Sequence, residues 1–137
     1  NANALFTLQH AACSPLVRVT RVDVEPLDGD LHKISAVITN LGYLPTHMSE
    51  MALKHGTAGE VSVTLDTDGD VLIGAKTQTI GHLAGRDERT TTWSPWLRDW
   101  HQTSKAVEWL VRAAEGSTIT ISASAQRAGT HRQQVTL

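Results

Sequence analysis

Valines recur at every second position from Val17 to Val24, with a slip of phase at Thr20-Arg21 that moves the run from Val17 and Val19 to Val22 and Val24. Period two marks a strand with one face buried, and a one-residue slip marks a bulge or a change of face. Past the turn residues in "LDGDL" the alternation resumes, with His32, Ile34, Ala36 and Ile38 on one side and Leu31, Lys33 and Ser35 on the other. The two segments therefore predict a hairpin with the isoleucine side inward. "EVSVTL", "TQTIGHL" and "KAVEWLVRA" predict three more strands, the last with Val107, Trp109 and Val111 set against Ala106, Glu108, Leu110 and Arg112. "GSTITISASAQRAG" and "HRQQVTL" predict a closing hairpin that turns at "RAGT".

Helical spacing is confined to short stretches. Leu5, Leu8, Ala11 and Ala12 predict an amphipathic helix over residues 4–13, stopped by Ser14-Pro15. "NLGYLPT" interrupts the strands, because Gly42 accepts a positive φ and Pro45 cannot donate to a ladder. A short helix across "HMSEMALKH" is expected to follow, with Thr46 able to cap it. The expected class is all-β: an immunoglobulin-like β-sandwich of about seven strands, with a short N-terminal helix and one or two short helices in connections. A closed barrel is the alternative. The expected division places the sandwich at residues 15–137. Residues 1–14 are read as a tag remnant, Asn1-Ala2, and the last helix of something preceding.

Composition narrows the function classes. The chain has 137 residues, 40% apolar and 19% charged, with net charge -2, an ordinary globular balance for one domain with its own core. Lys and Arg are scattered, so neither a nucleic-acid footprint nor a site for an anionic membrane is visible. No apolar stretch is long enough to cross a bilayer, and the first residues lack the pattern of a signal peptide. The single cysteine, Cys13, has no internal disulfide partner and reads as a small buried hydrophobe near a domain edge.

Candidate chemistry is sparse. His47 and Glu50 form an H-x-x-E, a spacing that zinc sites use, and His82, His101 and His131 are possible third ligands by residue type. No accompanying base or carboxylate-binding set is recognisable, so the pair reads as a solvated loop or short helix rather than as a metal site. Asp66, Asp68 and Asp70 alternate as in a calcium loop, but Val71 replaces the turn glycine and Thr77 the bidentate glutamate, which leaves an acidic turn. Trp93, Trp96 and Trp100 crowd into "TTWSPWLRDWH", where Ser94 and Pro95 predict a helix start that puts Trp96 and Trp100 one turn apart. Such a cluster suits packing against another domain or a stacking platform for glycan or peptide. Trp109, inside a strand, reads as core.

"LGYLPTHMSEMAL", "IGHLAGR" and "KAVEWLVRAAEGSTITISASAQRAGTHRQQVTL" resemble, in order and spacing, the C-terminal region of bacterial zinc carboxypeptidases of the M14 (carboxypeptidase A-like) family. The likeness spans nearly the whole chain, with Leu41 standing where relatives usually carry Thr. The resemblance implies a non-catalytic accessory domain that stabilises a peptidase domain or shapes access to it, and it suggests a bacterial cytoplasmic setting. The zinc and the catalytic residues would then belong to a domain upstream of Leu5, with none carried by this chain. The surface expected to meet the parent's catalytic domain comprises Tyr43, Leu44, Pro45, Trp93, Trp96 and Trp100. The alternative is a glycan- or peptide-binding module built on the same tryptophans. A small zinc hydrolase using His47 and Glu50 is the third and least favoured expectation.

Overall fold

The computed structural model describes residues 2–47, 49–86 and 102–137. Within them the chain forms α1 (Ala2–Ala12), β1 (Val17–Pro26), β2 (Leu31–Asn40), α2 (Glu50–Lys54), β3 (Val61–Asp66), β4 (Asp70–Ile73), β5 (Thr77–Gly81), β6 (Ser104–Arg112), β7 (Thr118–Ala125) and β8 (Gly129–Thr136). Two four-stranded sheets result, ordered β1-β2-β6-β4 and β5-β3-β7-β8. Every paired neighbour is antiparallel. β1, β2 and β6 in one sheet face β3, β7 and β8 in the other, the two-layer arrangement of an immunoglobulin-like sandwich.

The alternation that predicts the strands also builds the core. On β2 the buried positions are His32, Ile34, Ala36, Ile38 and Asn40, and on β6 they are Val107, Trp109 and Val111. Val61, Val63 and Leu65 from β3 and Ile119, Ile121 and Ala123 from β7 meet them from the opposite sheet. The slip in β1 is a true irregularity, with the register against β2 shifting between Val19 and Arg21. Trp109 is buried in this core and its Nε1 donates to the Ala75 carbonyl at 2.8 Å. The indole's one polar atom is thereby satisfied, as a buried tryptophan requires.

Some details depart from expectation. The described residues contain eight strands, consistent with the expected sandwich of about seven. β4 is the addition, a four-residue edge strand that pairs Asp70 with Arg112 and Val71 with Val111 and lies mostly exposed. It carries no alternation because it has no buried face, and its pairing with β6 alone makes it a strand. The second helix is shorter than "HMSEMALKH" suggests, and its N-cap is Ser49, whose Oγ accepts from Ala52 N at 3.2 Å, rather than Thr46. α1 spans Ala2–Ala12 and buries none of its residues. Cys13 is half-buried rather than buried.

A candidate interaction surface beside the GYLPT loop

β2 ends at Asn40, and the loop that follows is fastened by that one side chain. Asn40 Oδ1 accepts from Leu16 N at 2.9 Å and from Gly42 N at 3.0 Å, while Nδ2 donates to Leu44 O at 2.8 Å and Ala84 O at 3.0 Å. All four bonding positions of the amide are thus used, inside a fully buried site. Three separate stretches of chain meet there: the α1–β1 link, the GYLPT loop and the segment after β5.

The backbones at this junction pass too close for side chains. A Cβ on Gly42 would lie 2.2 Å from Ser14 O, and one on Gly85 would lie 1.9 Å from Tyr43 O. Thr46 completes the fastening. Its backbone N donates to Leu83 O at 3.0 Å, and Leu83 N donates to its Oγ1 at 3.1 Å. The spacing of Asn40, Gly42 and Thr46 with Gly85 therefore serves close approach and hydrogen bonding, which is why the loop keeps one shape without strand pairing.

This scaffold pushes apolar side chains outward. Tyr43 is 56% exposed and Leu44 42% exposed, and Pro45 is half-buried. Leu16 and Leu41 are exposed at the same junction, and Leu44 N bonds to Cys13 O at 2.9 Å, so the loop abuts the end of α1. The helix itself presents Leu5, Phe6 and Leu8 to solvent. Beneath the loop a hollow of about 550 Å³ is lined by Ser14, Pro15, Leu44, Thr46, His47 and Arg127, among others. Of the expected contact residues, the structure places Tyr43, Leu44 and Pro45 here. Trp93, Trp96 and Trp100 lie outside the described residues.

The histidine expectations change. His47 is not solvated but buried, at 5% exposure, and burial holds its imidazole below the usual histidine range while Glu60 pulls weakly the other way. Its ring packs edge-on against His82, with centroids 4.6 Å apart. Glu50 opens α2. His131 is elsewhere, its Nδ1 accepting from Val19 N at 3.2 Å, and His101 lies outside the described residues. Among the described residues no group of three or more His, Cys, Asp or Glu side chains is placed to hold a metal ion. Asn40 and Thr46 are the residues on which this surface depends, and sequence reasoning gave them no such role. Their signal was the position of Asn40, a polar residue in phase with the buried row of Ile34, Ala36 and Ile38.

Comparison with curated proteins finds no match to this chain. Residues 16–136, nearly the whole sandwich, match the model of a family described as a domain of unknown function, DUF8731, and the chain belongs to that family.

Proposed function

We propose that this sandwich is a non-catalytic accessory domain of a bacterial zinc carboxypeptidase and that it docks on the peptidase domain of its own parent. The observation that carries the proposal is the grouping of exposed apolar residues at one end: Leu16, Leu41, Tyr43 and Leu44 on a rigidly fastened loop that abuts the end of α1. Exposed apolar surface on a preformed scaffold is what a docking face needs, since little ordering entropy is lost when it is covered. α1 supports the same view, because its apolar residues find no cover in the sandwich. The sequence resemblance supplies the identity of the partner, and zinc would be bound by that partner.

The test uses the parent enzyme. Tyr43→Ser combined with Leu44→Ser is expected to lower the melting temperature of the peptidase unit and to reduce kcat/KM, while the isolated sandwich keeps its own melting temperature. Unchanged stability and kinetics in the parent would remove the proposal.

A further inference from the structure

Two Asp-Gly steps lie in turns of the sandwich, Asp28-Gly29 between β1 and β2 and Asp68-Gly69 between β3 and β4. An aspartate followed by glycine is able to close on its own main chain, because no side chain on the next residue crowds the peptide nitrogen as it nears the carboxyl carbon. The other described aspartates, Asp23, Asp30, Asp66 and Asp70, precede Val24, Leu31, Thr67 and Val71, whose side chains do crowd it. Packing and hydrogen bonding then separate the two Asp-Gly steps.

Asp28 and Gly29 are exposed at the tip of their turn. The turn is tied on either side of them, Leu27 N donating to Leu31 O at 2.8 Å and Ala113 N to Asp30 O at 2.9 Å. Among the described residues, neither the Gly29 nitrogen nor the Asp28 carboxylate makes a hydrogen bond or ion pair. Gly29 has a φ of 69°, and a Cβ there would meet nothing within 4 Å. The peptide plane between the two residues therefore has room to rotate. Asp68-Gly69 is held. Gly69 N donates to Thr67 Oγ1 at 3.1 Å, and its backbone is pressed on the end of β6, where a Cβ would lie 2.5 Å from Arg112 O and 2.7 Å from Ala113 Cβ. Attack there has first to break that bond and lift the chain off β6.

We propose that Asp28 is a site of spontaneous isoaspartate formation, and through it a methyl-acceptor site for isoaspartyl carboxyl methylation, while Asp68 is protected. The Gly29 nitrogen attacks Cγ of the Asp28 carboxylic acid; a C–N bond forms, the C–OH bond breaks, and the hydroxyl leaves as water with the amide proton. Water then adds to the cyclic imide. Breaking the new bond restores aspartate. Breaking the original peptide bond instead routes the main chain through Cγ, one methylene longer, and leaves a free α-carboxylate. That carboxylate takes a methyl group from S-adenosylmethionine, its oxygen bonding the methyl carbon as the sulfur–methyl bond breaks. The site is independent of the docking surface beside the GYLPT loop.

The test ages the whole chain at neutral pH and physiological temperature, in buffer and in urea. Digests are read by electron-transfer mass spectrometry, which tells isoaspartate from aspartate, and labelled methyl transfer by an isoaspartyl methyltransferase gives a second readout. In buffer, isoaspartate should accumulate at Asp28 and lag on the order of tenfold at Asp68, the rate equivalent of giving up one hydrogen bond. In urea the two sites should react alike, since the fold no longer distinguishes them. The methyl label should appear on the peptide that contains residue 28, and Asp28→Glu, whose closure needs a larger ring, should remove it. Equal yields at the two sites in buffer, the same excess at Asp28 in urea, or a residue-28 peptide that never takes the label would overturn the proposal.

Discussion

Asn40 shows how much of a loop one amide can organise. Replacing it with alanine leaves Leu16 N, Gly42 N, Leu44 O and Ala84 O without their buried partner, four groups on three stretches of chain. Asn40→Ala is therefore expected to lower unfolding free energy by on the order of 3 kcal/mol in urea titrations, well above an ordinary surface substitution. His47 gives a second expectation at this scale. Its folded-state pKa is lowered, chiefly by burial. Above the unfolded value both states are neutral and the residue has no effect on stability. Below it the unfolded chain takes up the proton first, so stability falls as pH drops from about 6.5 toward the folded value. His47→Gln should flatten the pH dependence of the melting temperature across that window. An identical slope in the variant would show that another group is responsible.

Strands that lay a row of side chains on the core were legible in the sequence, and the mostly exposed β4 was not. β2 and β6 alternate because each lays one row of side chains on the core, so their limits and facing could be read from the letters alone. β4 has no such row and exists through its ladder with β6, a tertiary cause that local pattern does not carry. The same reason explains the site. Tyr43 and Leu44 were recognised as surface candidates from their loop, but the burial of His47 and the four bonds of Asn40 depend on stretches of chain distant in sequence. α1 is the opposite case, a helix visible in the periodicity that buries nothing. Replacing Leu5, Phe6 and Leu8 with glutamine is expected to shift the sandwich's unfolding free energy by no more than about 0.5 kcal/mol per site, as for surface positions generally. A larger loss in denaturant unfolding would mean that the helix packs on the sandwich after all.

At the scale of the molecule, the sandwich holds two unlike ends apart. One is apolar and fastened by Asn40, the other carries the exposed carboxylates of Asp30 and Glu115 beside a cavity that His32 helps to line. Changes at the two ends should combine additively, since no side chain is shared between them and the intervening strands are rigidly paired. The fastened end has one more consequence. Ala84 N bonds to Gln102 O at 2.9 Å, and Arg86 N bonds to Gly42 O at 2.9 Å, so the described residues on either side of 87–101 are held close together. Joining two points so near each other with a short linker carries little entropic penalty. Exchanging residues 87–101 for a brief Gly-Ser bridge should leave a cooperatively melting sandwich, judged by calorimetry. The position would then serve as a graft socket, able to accept inserts of different length and chemistry while the two sheets beneath stay as they are.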